Sequence, residues 1–341
     1  MSDKLRAGVV GLGYAGLRYL EAFHQDERTE LVAVCDVNEE RLLNAIEEYH
    51  VKGYGDYGKM LNEADLDVLG IATPHNLHAQ MSISAMNSGI NVLCVKPMAT
   101  NIKDADLITQ TVRDAGLVYN AGYSLRYSPE GQEIKRLLNA NVIGDVFHAS
   151  SYIRAPRTPS YFFNCWDSWR SKAQCGGQLL INHAIHHIDL FLFYFGDAKE
   201  VQGWIGRLNL PRHLPIEVED TALFLIEFKN GVIATFDNSI GITSAKTPGW
   251  NLEIYGERGT ISCPYEGTQD IGVFYSTAGP NGWTYKNRVE LIEPTGPKYM
   301  EVEVFLSAIL EGKDLGVTAE EGKKGVEIAI ACYKSHFLGG K

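Results

Sequence analysis

The chain has 341 residues, 45% of them hydrophobic, which is enough for two domains with sizeable cores. Its 31 basic and 42 acidic side chains leave a formal charge of -11, and no Lys/Arg run offers a stripe for tracking phosphates, so nucleic acid is not an expected partner. No apolar run is long enough to span a bilayer, the start MSDKLRAGVV has no signal-peptide pattern, and the six cysteines include no CxxC pair; a cytoplasmic protein with reduced thiols and no membrane partner is expected.

In chain order, the apolar run Leu5 to Val10 is followed at once by Gly11-Leu12-Gly13-Tyr14-Ala15-Gly16 and then by a helical pattern through Arg18, Leu20 and Phe23. Strand, tight turn and helix in that order bring helical N–H groups towards a pyrophosphate, with the glycines permitting the turn and the close approach. GxGxxG alone is a weak signal. A second strand, Leu31 to Cys35, ends in Asp36, twenty residues beyond Gly16, where a carboxylate accepts hydrogen bonds from ribose hydroxyls. The same charge repels a 2′-phosphate, so NAD is favoured over NADP; an aspartate at a strand end also serves as a turn or cap residue, and Arg41 is near enough to reverse the preference.

The alternation continues with a helix over Arg41 to Tyr49, a strand over Asp67 to Ala72, the loop Thr73-Pro74-His75-Asn76-Leu77-His78, a helix through Met86, a strand at Ile90 to Val95, a helix from Lys103 to Ala115 and a strand at Leu117 to Ala121. Strands alternating with helices predict a doubly wound parallel sheet whose ligand crevice lies beyond the carboxyl ends of its strands. The glycine turn, Asp36, the Thr73–His78 loop and Lys96-Pro97 all follow strand ends. His75 and His78 either line that crevice or cap the next helix. Lys96 is either a donor to a reacting oxygen or a snorkelling surface lysine.

The first domain is placed at residues 1–122 and the second at 123–341. No Gly/Ser linker divides them: Tyr123 to Tyr127 runs into a helix over Pro129 to Asn139. A strand over Asp145 to Arg154 precedes a long segment, Ala155 to Cys175, rich in Arg157, Tyr161, Phe162, Phe163, Trp166, Trp169 and Arg170. Aromatic faces suit the apolar faces of sugar rings and arginines suit anions, although the same residues serve equally as a plug over a sheet or at a subunit contact. Next comes GGQLLINHAIHHID, Gly176 to Asp189, read as a helix with Asn182, His186 and Asp189 on one edge and Ile181, Ile185, Ile188 and Leu192 on the neighbouring apolar stripe. An imidazole held on such an edge suits proton transfer. His183, His187 and Cys175 have too few companions for a zinc site, so no metal is expected. Strands follow over Lys199 to Leu208, Glu219 to Phe228, Val232 to Ser239, Trp250 to Tyr255 and Thr260 to Ser262, with Asn230-Gly231 as a hairpin signal. Helices over Tyr299 to Leu310 and Ala319 to Phe337 end the chain.

Taken together, GLGYAG, Asp36, the Thr73-Pro74…His78 loop, Lys96-Pro97, Arg126-Tyr127…Pro129 and Gly176-Gly177…Asn182…His186…Asp189 resemble the glucose-fructose oxidoreductase / inositol dehydrogenase (Gfo/Idh/MocA) family over most of the chain. The resemblance implies an α/β protein: an N-terminal Rossmann domain and a C-terminal α/β domain with a large open, mainly antiparallel sheet. It implies an NAD-dependent oxidoreductase that moves hydride between nicotinamide and a secondary hydroxyl or keto carbon of a sugar, sugar derivative or cyclitol. On this reading Lys96, His186 and Asn182 are catalytic. The cofactor contacts are Gly11, Gly13, Tyr14, Ala15, Gly16, Asp36, Thr73, Pro74, Asn76, His78, Lys96 and Pro97, and the substrate contacts are Lys96, Arg126, Trp169, Arg170, Asn182 and His186. A cis bond at Lys96-Pro97 is implied as well. The sequence departs from the family pattern at Val95, where Glu is common, and at Gln178, where a third glycine is common. A homodimer or homotetramer through the open sheet face is expected. Two other readings use the same parts: an NAD-retaining glycosidase that oxidises its substrate transiently, and a non-catalytic dinucleotide-sensing regulator.

Overall fold

The computed structural model describes residues 4–155, 168–210, 213–242, 249–264, 271–279, 282–292 and 299–340. Arg157, Tyr161, Phe162, Phe163, Cys165 and Trp166 lie outside the described residues. The chain divides into two units. One takes residues 1–123, 174–176 and 298–326, and the other takes 124–173, 177–297 and 327–341.

The first unit holds six parallel strands: β1 (Leu5–Val10), β2 (Thr29–Cys35), β3 (Lys52–Tyr54), β4 (Val68–Ile71), β5 (Asn91–Val95) and β6 (Tyr119–Gly122), in the order β3-β2-β1-β4-β5-β6. This order reverses direction between β1 and β4, which is where a doubly wound sheet opens its ligand crevice. The central strand β4 is buried along its whole length and reads as an unbroken apolar run for that reason, whereas the edge strand β3 exposes Lys52. Local chemistry sets the helix starts. Asn38 caps α2 (Glu39–Tyr49) by accepting from the Arg41 N–H at 2.8 Å, and Asn101 caps α5 (Ile102–Ala115) by accepting from the Asp104 N–H at 2.9 Å. Between them lie α3 (Tyr57–Glu63) and α4 (His78–Asn87). The opening helix α1 (Tyr14–Gln25) packs Tyr19, Leu20 and Phe23 into a core shared with Val302, Phe305 and Leu306. Those last residues sit on a late helix, Met300–Glu311, so residues 298–326 belong with the first unit. The expectation of one uninterrupted second domain over 123–341 is corrected on this point. An amphipathic helix late in the sequence carries no mark of which sheet it will cover.

In the second unit, α6 (Ser124–Tyr127) and α7 (Pro129–Asn139), the latter capped by Ser128, lead into β7 (Val146–Arg154). After a π-helical turn over Leu180–Ala184 comes α8 (Ile185–Phe195), and then β8 (Ala198–Gly206), β9 (Thr221–Phe228), β10 (Ile233–Ser239), β11 (Gly249–Gly256), β12 (Gly259–Pro264), β13 (Ile271–Gly279) and β14 (Gly282–Ile292). The sheet order is β14-β13-β12-β11-β7-β10-β9-β8, and every pair is antiparallel except β10 with β7. Gly231 turns the β9–β10 hairpin at φ +92°. Ala222, Phe224, Ile226 and Phe228 alternate with more exposed residues along β9, and Phe191 and Phe195 of α8 pack onto the rings of Phe236 and Phe228. Leu223, Trp204 and Ile233 are left exposed.

The reading in chain order passes over β3, α3, β13 and β14. The first is a three-residue strand with Gly53 at its centre, too short for any period to show. The five described cysteines are free, and burial pushes the Cys94 thiol up to about 12. No described helix is long and apolar enough to cross a membrane.

Candidate active site

In the first unit the glycine turn is dictated by contact. A Cβ at Gly11, which sits at φ +86°, would lie 2.5 Å from the Ala72 carbonyl oxygen, and one at Gly16 would lie 1.7 Å from that of Gly11. Gly13 differs: a Cβ there would meet nothing nearer than Arg41 Nη1 at 3.7 Å, so the protein itself leaves that space open. The start of α1 is uncapped by any side chain and has no acid in its first turn, while Tyr14 is 84% exposed. Free helical N–H groups with open space before them fit a pyrophosphate. Asp36 accepts from the Leu12 N–H through Oδ2 at 2.6 Å and from the Asn38 N–H through Oδ1 at 2.7 Å. Each oxygen keeps further acceptor capacity for ribose hydroxyls, so the carboxylate braces the turn and still suits an adenosine. These residues fit the dinucleotide that the resemblance implies.

The Thr73–His78 loop leaves β4, and Lys96 and Pro97 leave β5, at the same carboxyl edge of the sheet. Thr73, Pro74 and Lys96 are partly exposed, and Asn76 is exposed. The Lys96-Pro97 bond is cis. His78 is placed otherwise than expected. It is fully buried, with Nε2 2.8 Å from the Thr73 carbonyl oxygen and Nδ1 2.7 Å from that of Pro97, so both polar atoms of its ring are turned to the backbone and not to a cofactor. Burial, the largest cause, and the nearby Lys96 charge lower its proton affinity, against the pull of the two carbonyls. His75 Nδ1 lies 2.7 Å from the carbonyl oxygen of Gly176, a residue held at φ +79° against the His75 side chain.

In the second unit a Cβ on Gly177 would lie 2.3 Å from the Arg170 carbonyl oxygen, so the chain can pass the Trp169–Arg170 turn only as glycine. Trp169 and Arg170 are partly exposed, with the guanidinium 4.5 Å from the indole centroid. Asn182, His183, His187 and Asp189 are all buried; His186 alone in the run Ile181–Leu190 is not. Burial decides among the three histidines. His187 bonds to Ser151 Oγ through Nδ1, and desolvation pushes its pKa down to about 3, which keeps the ring neutral. His186 is the imidazole that solvent or a ligand can reach.

Two expectations about this run are corrected. The segment does not begin as a regular α-helix: Leu180–Ala184 makes a π turn, an irregularity that recurs at functional sites and that residue periodicity cannot signal. Asp189 does not join a polar edge. It is sealed in against Arg126, whose Nε donates to Oδ2 at 2.8 Å while Nη2 lies 2.8 Å from Oδ1. Arg126, expected to touch substrate, is itself 3% exposed and has the surroundings of a structural residue. Among the described residues no three His, Cys, Asp or Glu side chains converge as metal ligands.

Two residues escape sequence reasoning. Trp250 of β11 presents its ring to His183, His186 and His187, with centroids at 6.1, 5.3 and 5.4 Å. Glu219 accepts from the Leu179 N–H at 2.8 Å and from the Tyr333 hydroxyl, which places a carboxylate at the start of the segment that carries Asn182 and His186. Burial raises its pKa against those bonds. Neither has a local motif: Trp250 is brought in by β11, and Glu219 by the irregular segment just before β9, both remote in sequence.

Comparison with known proteins matches both halves of the chain to one family. The profile of an oxidoreductase family with an NAD-binding Rossmann fold matches residues 5–123, and that of the GFO/IDH/MocA C-terminal domain matches residues 132–262. A myo-inositol 2-dehydrogenase of Thermotoga maritima is 23% identical, covering 97% of this chain and 96% of its own. A 2,7-anhydro-N-acetylneuraminate hydratase of Mediterraneibacter gnavus is 29% identical, covering 96% and 94%. Among solved structures, a levoglucosan dehydrogenase in complex with NADH and L-sorbose superposes with a TM-score of 0.84 at 20% identity, covering 98% of this chain and 97% of its own; at that identity the likeness concerns the fold. With both halves matched, the chain belongs to the Gfo/Idh/MocA family of NAD-binding oxidoreductases.

Proposed function

We propose that the protein is an NAD-dependent dehydrogenase acting on a secondary hydroxyl of a sugar, sugar derivative or cyclitol. His186 takes the hydroxyl proton, Lys96 donates a hydrogen bond to the oxygen as its charge develops, and Asn182 orients the imidazole or the hydroxyl. Bound NAD supplies the hydride acceptor. Gly11, Gly13, Tyr14, Ala15 and Gly16 would hold its pyrophosphate, Asp36 its ribose, and Thr73, Pro74, Asn76 and Pro97 its nicotinamide side. Trp169 and Arg170 would contact the substrate. The observation that carries the reading is the burial pattern of Ile181–Leu190, which leaves a single imidazole within reach of a ligand on an otherwise sealed segment. The inositol and levoglucosan dehydrogenases among its relatives support a cyclic polyol as substrate. A cytoplasmic location is part of this proposal, and the exposed Trp204, Leu223 and Ile233 support a homodimer or homotetramer formed through the open sheet face.

A second reading, in which the substrate is oxidised and reduced again on the enzyme, draws support from the relative named as a hydratase. The two are separated by incubating the protein with sugars, inositols, uronates and nucleotide sugars, with NAD and NADP in parallel, while following reduced nicotinamide and product mass. Dehydrogenation gives net reduced cofactor with one substrate class, and His186→Ala abolishes it. Substrate conversion with no net reduced cofactor establishes the second reading instead. Tight NAD binding without any conversion sinks both.

A further inference from the structure

We infer that His78 is a positioning residue for Lys96: its imidazole ties the turn after β4 to the turn after β5 and so fixes where the lysine's backbone stands. The inference rests on the proposed role of Lys96. Strands β4 and β5 are neighbours, but their ladder ends at the Ile71 and Cys94 pair, so beyond it no strand-to-strand bond holds the two turns in register. The His78 ring fills that gap. Its Nε2 is 2.8 Å from the Thr73 carbonyl oxygen and its Nδ1 is 2.7 Å from the carbonyl oxygen of Pro97, the residue next to Lys96. A rigid aromatic ring with a nitrogen against each of the two carbonyls sets the spacing of the two backbone segments more tightly than a flexible side chain would. A neutral ring donates to one of them and an imidazolium to both. Full burial keeps His78 away from ligand, so whatever it contributes to turnover passes through the backbone it holds. The neighbouring His75 ring, 5.5 Å away, faces the Gly176 carbonyl and leaves the tie to His78.

The test is a double-mutant cycle between His78→Phe and Lys96→Met, with single-turnover rates measured at excess enzyme so that slow variants stay measurable, and with NAD affinity measured by titration. His78→Phe keeps an aromatic ring and removes both ring nitrogens. It should lower the rate constant for turnover by roughly 10–100-fold, the scale of a misplaced catalytic group, while changing NAD affinity far less. In the Lys96→Met background the same change should cost less than about twofold, since the group being positioned is gone. Equal losses with and without Lys96, or a His78→Phe variant at wild-type rate, overturn the inference. Should His78→Phe prove insoluble, His78→Gln enters the same cycle, with the same coupling expected and additivity again overturning it. Full activity in Lys96→Met alone would instead remove the proposed role of Lys96, a separate result from additivity.

Discussion

Replacement of Asp189 decides whether Arg126 belongs to the substrate or to the scaffold. The pair is almost completely withdrawn from water, with side-chain exposures of 4% and 0%, and meets at two points 2.8 Å apart. The guanidinium also lies 5.3 Å from the Phe193 ring. Removing one charge from such a pair leaves the other in a low-dielectric setting, which costs about 3–5 kcal/mol. Asp189→Asn keeps the shape and one acceptor oxygen, so the lower end applies, and for a chain of this size about 3 kcal/mol corresponds to a fall in Tm of roughly 4 °C. Arg126→Met should cost a similar amount, and the double variant Arg126→Met/Asp189→Leu should recover part of the loss, since apolar residues of like volume replace buried pairs well. Thermal melts followed by calorimetry, together with KM for the sugar on the folded fraction, make the assay. The reasoning fails if Arg126→Met melts like the parent while KM rises by about tenfold or more, because that pattern belongs to a residue that binds substrate.

Glu301, buried at the start of the Met300–Glu311 helix, has its pKa raised by burial from 4.5 to about 7, with Arg18 opposing. The unfolded chain gives up this proton first, so stability declines as pH climbs from the ordinary carboxyl range through about 7. Glu301→Gln should therefore be more stable than the parent by about 1–3 kcal/mol near pH 8 and little different near pH 4, and melts that shift in parallel at both values would contradict the assignment. Glu219→Ala removes the acceptor for the Leu179 N–H and the Tyr333 hydroxyl. It should cost about 1–3 kcal/mol in melts and lower kcat with NAD affinity retained; an unchanged melt would show the carboxylate to be dispensable. Asp36→Ser should weaken NAD by roughly tenfold or more and narrow the preference over NADP, as read by cofactor titration, whereas unaltered NAD affinity would place the ribose elsewhere.

The legible parts of this chain are those where a local constraint dictates residue type. Gly11 and Gly16 announce the turn because backbone oxygens occupy the place of their side chains, and Asp36 follows at the distance a βαβ unit imposes. The apolar runs of β1, β4 and β5 read as buried strands because both faces are covered. Contacts between distant residues left no such mark. Arg126 and Asp189 are 63 positions apart, and Trp250 reaches His186 only because β11 is laid beside β7 in a register that no turn signal specifies. The π turn before α8 shifts the helical phase in a way that residue periodicity does not signal, so periodicity alone puts Asp189 on the wrong edge. The family resemblance groups His78 with the cofactor contacts expected of its loop, while its ring faces Thr73 and Pro97.

The most direct measurement is the pH dependence of kcat/KM for the best sugar, compared between the parent and His186→Asn, with NAD affinity measured alongside. With His186 as the base, the parent loses rate on the acid side as the imidazole gains its proton. The Asn variant is then slower by about 10²–10⁴-fold, loses that limb and still binds NAD. A His186→Asn variant that keeps both the parental rate and its acid limb would assign the proton transfer to another group and contradict the account at its centre.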